Sequence, residues 1–193
     1  MTDRLASAIA RRAAWSGLCA FVAIVALEHL LSPGLDPATH QVSEYVHESS
    51  GAIAIAGFVA WAVSLAATSV CVRSYRVLAI PLAVAAAGML VVAAFPTQTV
   101  AGALPPGHHL TTTGALHDAG SGATTVALLV AMLLAAWRVK RLRVLSAGLA
   151  IVAVAVQISL LAVGPEVGGI RQRVLLAIGG AWQGALLVWT RRP

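Results

Sequence analysis

The stretch VLAIPLAVAAAGMLVVAAF, residues 77–95, contains no charged side chain and no side chain that can hydrogen-bond. About 20 apolar residues in a helix are enough to cross the hydrocarbon core of a bilayer. A surface helix of a soluble domain would keep a polar face, and this stretch has none. It reads as a membrane span. The whole chain agrees: of its 193 residues 59% are hydrophobic and 10% charged, with a mean hydropathy of +0.87. A soluble domain carries roughly a quarter of charged residues. The length suits one polytopic membrane domain.

Five further apolar stretches flank this one, and the predicted spans lie near residues 13–31, 52–72, 77–95, 110–137, 144–163 and 170–190. The expected fold is all-α, a six-transmembrane-helix bundle. The second span could extend back to Ser43 as an N-cap. The first has Arg11 and Arg12 before it, as a signal peptide would, but it ends in Glu28-His29 without a small-residue cleavage pattern and is read as a retained helix. Cys19 and Cys71 belong to different spans at different depths, so they are expected as separate apolar thiols rather than a disulfide.

The net charge of +6 would suit a nucleic-acid partner if it were clustered on one surface. It is distributed instead as Arg4, Arg11 and Arg12, then Arg73 and Arg76, then Arg138, Lys140, Arg141 and Arg143, then Arg191 and Arg192. With six spans all of these fall on one side, which the positive-inside rule makes the cytoplasm. Both termini are then cytoplasmic, the membrane is a bacterial-type inner membrane, and the bases contact anionic lipid rather than nucleic acid. Only Arg171 and Arg173 break the rule.

The same topology puts every histidine, and every acid except Asp3, in the extracytoplasmic half. Ionisable groups inside a span are expensive and usually face a cavity or a partner. His117 and Asp118 stand two turns into the fourth span, and Thr113, His117, Ser121 and Thr125 recur every four residues as a polar stripe. Such a stripe can line a pocket or bond neighbouring helices. Glu44, His47 and Glu48 share a face if that segment is helical. Arg171 and Arg173 can pair with Glu44, Glu48, Asp118 or Glu166, or take a phosphate or carboxylate head group.

These groups define a candidate site. Glu44, His117, Asp118 and His47 are its candidate catalytic residues. Ser43, Arg171, Arg173 and Ser121 are its candidate substrate-binding residues. A carboxyl in an apolar pocket suits general acid chemistry, so one reading is a cyclase or isomerase acting on a lipidic substrate, isoprenoid or acyl. A metal-dependent hydrolase or head-group transferase is the second, with zinc held by three or four of His47, His108, His109 and His117. A non-catalytic lipid-binding or accessory subunit is the third. Haem would need axial histidines on two facing spans, and only His117 lies clearly inside one. There is no Gly-x-Ser-x-Gly, phosphate loop or dinucleotide fingerprint. Gly180 and Gly184, and Gly114, Gly120 and Gly122, are expected at close helix crossings.

Four segments in order, HQVSEY from residue 40, FP at 95–96, ALHDAGSG from 115 and GGIRQRVLLAIGGAWQGALLVWTRR from 168, give the chain a resemblance. It resembles the bacterial membrane family called domain of unknown function 998 (DUF998) over nearly its whole length. The resemblance implies matched positions at Ser43, Glu44, Pro96, His117 and Arg173. It also shows two departures, Thr97-Gln98-Thr99 where an acid is expected and Gln172 where a Glu is expected. Any acid-dependent role at those two places is thereby put in question.

Overall fold

The computed structural model describes residues 2–159 and 164–190. Within them are six long helices: α1 (Thr2–Leu31), α2 (Gly51–Cys71), α3 (Arg76–Ala94), α4 (Thr112–Arg138), α5 (Arg143–Ile158) and α6 (Gly168–Trp189). The sixth expected stretch is thus helical. Residues 160–163 of the fifth expected span, and Arg191 and Arg192, lie outside the described residues. Among the described residues five segments are long and apolar enough to cross a membrane: Ala6–Leu31, Gly51–Cys71, Arg76–Ala94, Thr112–Arg138 and Lys140–Ile158.

Each helix packs along the next in sequence, and α6 closes back onto α1 and α2. The core between them is built on Trp61, Leu65, Leu82, Trp182 and Leu186. Phe21 stacks on Trp61 with centroids 4.7 Å apart. Where backbones approach, glycine is required. A Cβ on Gly17 would stand 2.4 Å from the Ala60 carbonyl oxygen, and one on Gly88 2.6 Å from that of Gly120. Gly180 and Gly184 instead meet the side chains of Leu18 and Trp15 at 3.5 Å, and Gly122 faces open space rather than a helix crossing.

A buried polar knot fastens α6. Gln183 donates to Ser64 Oγ (2.7 Å) and Thr68 Oγ1 (2.8 Å) on α2 and accepts from Trp61 Nε1 (3.1 Å). Ser64 in turn donates to the Ala14 carbonyl of α1. Next to it, Trp182 Nε1 donates to Ser146 Oγ of α5 at 3.0 Å. Ser146 and Ala150 are the only fully buried residues among those described in α5, so that helix is the most loosely held.

The two ends differ. At one, the α2–α3 turn, the α4–α5 turn and the end of α6 converge: Tyr75 meets Trp189 edge-on at 5.3 Å, and Arg141 lines the same recess. This is the basic end. At the other, the polar end, long connections fold over the bundle. Ser43 does not cap α2. It lies inside a separate 3-10 helix, Val42–His47, before α2 starts at Gly51.

Candidate ligand-binding site

Arg173 organises the polar end. From the second turn of α6 its Nη1 donates to the carbonyls of Pro37 (2.9 Å), His40 (2.6 Å) and Gly169 (3.1 Å), its Nη2 to Tyr45 Oη (3.1 Å), and its Nε to His29 Nε2 (3.0 Å). None of these partners is an acid. A guanidinium fork has five donors in fixed geometry, and here it gathers the α1–α2 connection onto α6. His29 Nδ1 lies 2.5 Å from the Val25 carbonyl. It must be the donor there, which leaves Nε2 free to accept from Arg173.

Glu44 is fastened as firmly. Its Oε2 accepts from the Ala101 amide (2.9 Å), and its Oε1 from the Gly102 amide (2.9 Å) and Thr99 Oγ1 (3.3 Å). The two amides belong to a tight turn closed between Val100 and Ala103, with φ of 52° at Ala101 and 76° at Gly102. Both values are left-handed, as a two-residue hairpin turn demands. Successive N–H groups there point the same way and form an anion-binding concavity. The carboxylate occupies it and secures the α3–α4 connection.

The remaining sequence candidates are spread around this end. His47 Nε2 meets the Thr97 carbonyl at 2.7 Å, and His117 Nδ1 meets the Phe95 carbonyl at 2.8 Å. Both histidines thus fasten the Phe95–Thr97 segment. Ser43 is buried with no partner for its hydroxyl among the described residues, Asp118 is exposed on α4, and His108 and His109 are exposed on the connection before it. Among the described residues no three of the His, Cys, Asp and Glu side chains come together as a metal site. The set His47, His108, His109 and His117 is therefore not brought into one ligand sphere. The positions that lack an acid are occupied by neutral contacts: Gln98 accepts from the Thr111 amide, Thr97 and Thr99 bond each other, and Gln172 accepts from the Val42 amide at 2.5 Å.

The polar stripe of α4 divides. Steps of four residues advance about 40° around a helix, so the row drifts from one neighbour to another. His117 turns toward the end of α3, whereas Ser121 and Thr125 line a cavity of ≈ 200 Å³ bounded by α4, α5 and α6. Gln41, Gln157, Arg171 and Gln172 form its polar part. Trp61, Met89, Leu128 and Met132 form its apolar part. Arg171 Nη1 is buried there without a hydrogen-bond partner among the described residues. Glu44, His47, His117, Asp118 and Arg173 do not line this cavity. Of the sequence candidates, Arg171 and Ser121 do. Gln41, Gln157 and Gln172 were not singled out as site residues, although Gln157 is a lone amide inside an apolar span and could have been found by the reasoning applied to His117. Glu28 was missed as a core group. It is 1% exposed, accepts from Ser50 Oγ at 2.6 Å through Oε2, and its Oε1 has no partner among the described residues.

Long apolar helices, outward-facing aliphatic side chains and polar groups turned inward define an integral, multi-pass membrane protein. The chain belongs to the family described as protein of unknown function (DUF998), whose model matches residues 16–189. No curated protein and no solved structure matches it.

Proposed function

We propose that the chain crosses a bacterial-type inner membrane six times, with both termini in the cytoplasm, and binds a lipidic ligand in the cavity between α4, α5 and α6. The observation that carries the binding reading is the make-up of that cavity, amides, hydroxyls and a guanidinium on one part and aromatic and thioether side chains on the other. An amphiphile fits such a lining and a small polar metabolite does not. α6 is not among the five segments apolar enough by composition to span, because it carries Arg171, Gln172, Arg173 and Gln183. Gln183 is fully hydrogen-bonded inside the bundle, so it adds little cost to insertion. Its 22 residues reach about 33 Å at 1.5 Å each. The basic turns at one end support the orientation.

Binding is favoured over acid–base catalysis because no carboxylate or imidazole lines the cavity among the described residues. Glu44 and His117 are taken as fasteners of the polar end. The reading is tested by purifying the protein in mild detergent and analysing retained lipid by native mass spectrometry. Ala153 lines the cavity from α5, so Ala153→Trp should fill it. Wild type should retain a lipid that this variant loses. Equal retention by both, or none by either, sinks the proposal.

A further inference from the structure

The cavity's polar part carries a charge preference, and this inference rests on the binding reading above. We infer that its ligand is an amphiphile with an anionic phosphate or carboxylate head, held by Arg171 and Gln172, with a single chain directed toward Trp61.

Three observations lead there. Arg171 Nη1 is buried at the cavity and has no hydrogen-bond partner among the described residues, in contrast to Arg173 two residues on, whose fork is taken up by carbonyls, a phenol and an imidazole. Two residues of helix separate side chains by about 200°, so the two arginines serve opposite sides of α6. Arg173 fastens the connections, and Arg171 is left with an unmet demand for an acceptor. A buried guanidinium N–H without an acceptor is costly, and a bidentate oxyanion is the group it fits best.

Second, the orientation of Gln172 is forced. The Val42 amide is a donor, so the atom 2.5 Å from it must be the side-chain oxygen. The NH₂ group of Gln172 is thereby the part left over, and it is a donor beside Arg171 on the same lining. Ser121 and Gln157 add groups that can donate, and no acidic side chain opposes them among the described lining residues. Donors without a counter-charge select an anion.

Third, size and depth limit the rest of the molecule. The ≈ 200 Å³ available is below the roughly 300–1,000 Å³ of pockets that enclose a whole drug-sized ligand. It admits a head and one chain, not a two-chain lipid. The floor of Trp61, Met89 and Met132 is apolar and polarisable.

Trp61 also supplies the readout. Purified protein in a neutral detergent is titrated with dodecyl phosphate brominated near the chain end, and quenching of tryptophan fluorescence is followed. A Trp61→Phe control identifies the quenched ring. Saturable quenching from Trp61 is expected, with dodecanoate competing and dodecyl maltoside and dodecyltrimethylammonium competing at least about tenfold more weakly. Arg171→Gln should weaken binding by about tenfold or more. Gln172→Glu keeps an oxygen for the Val42 amide but puts a negative charge beside Arg171, and it should weaken binding equally while the protein melts as wild type does. Inorganic phosphate alone separates the two sources of the anion: weak competition points to a lipid head group, and competition equal to dodecyl phosphate to a free phosphate, which overturns the chain assignment. Saturable quenching with no preference for the anionic head, or undiminished in Arg171→Gln and Gln172→Glu, overturns the charge inference while leaving lipid binding intact. No saturable quenching by any amphiphile overturns the binding reading itself.

Discussion

Glu44 accepts three hydrogen bonds, two of them from amides of a left-handed turn, so its removal would leave buried donors without partners. An amide in its place can accept with one oxygen only. Glu44→Gln should therefore destabilise the protein by about 1–3 kcal/mol and leave amphiphile binding nearly unchanged, as read by thermal melting in detergent and by the quenching titration. Ala101 sits in the same turn with a φ of 52°, a conformation that costs an L-residue with a Cβ roughly 1–2 kcal/mol. Ala101→Gly should raise the melting temperature slightly, and Ala101→Val should lower it. Arg173→Lys would exchange a planar fork for a point charge. The expected result is faster proteolysis between residues 33 and 42, read by mass spectrometry of limited digests. The sequence marked Glu44, His47, His117 and Arg173 as unusual in an apolar chain. It did not disclose that their partners are backbone atoms, because no residue pattern announces which carbonyl or amide a loop will present. Acids were the expected partners of Arg173, and it has neutral ones.

At the scale of the helix, six apolar stretches were read from length and hydropathy alone; each coincides with a helix, five of them apolar enough to cross a membrane, and the bounds differ mainly at the ends. α1 begins at Thr2, well before the apolar stretch does, since its Ala- and Arg-rich start is a good helix former outside any membrane. The four-residue stripe on α4 was legible as a row but not as two faces, because a spacing of four does not match the helical repeat. Gln183 was invisible as a fastener for a different reason: its partners Ser64, Thr68 and Trp61 lie on α2, more than a hundred residues earlier. Gln183→Leu should cost about 1–3 kcal/mol by orphaning Trp61 Nε1, measured as increased unfolding in a graded series of denaturing detergent. Gly88→Ala brings a Cβ within 2.6 Å of the Gly120 carbonyl oxygen and should destabilise the α3–α4 pair, whereas Gly122→Ala meets nothing and should be near neutral. A larger loss at Gly122 than at Gly88 would contradict the crossing described here.

For the molecule as a whole, the sequence pattern made a helical membrane bundle readable, since only helices and closed barrels satisfy a backbone in lipid. The cavity was not readable, because it arises where three helices fail to close on one another. The six-span topology predicts that a fluorescent protein fused to the C-terminus matures in cells, and that a cysteine placed at His108 reacts with a membrane-impermeant reagent added from outside. Those two results exchanged would reverse the orientation.

Among the described residues α5 has two polar attachments to its neighbours, Ser146 to Trp182 and Arg143 to the Ala136 carbonyl, both near the basic end. Beyond Ala150 none of its described residues is fully buried, and Ile151, Val152, Val154 and Ile158 face outward. Among the described residues, then, the α5 wall of the cavity has its polar attachments at its foot, and higher up it is held by apolar contact such as that of Ala153 with the core. On the binding reading proposed above, a chain would reach Trp61 sideways past α5, without crossing the connections that Arg173 and Glu44 hold shut. On that reading the surrounding bilayer takes part in selection, because the lipid that presses on the outward side chains of α5 also stands between the ligand and its cavity.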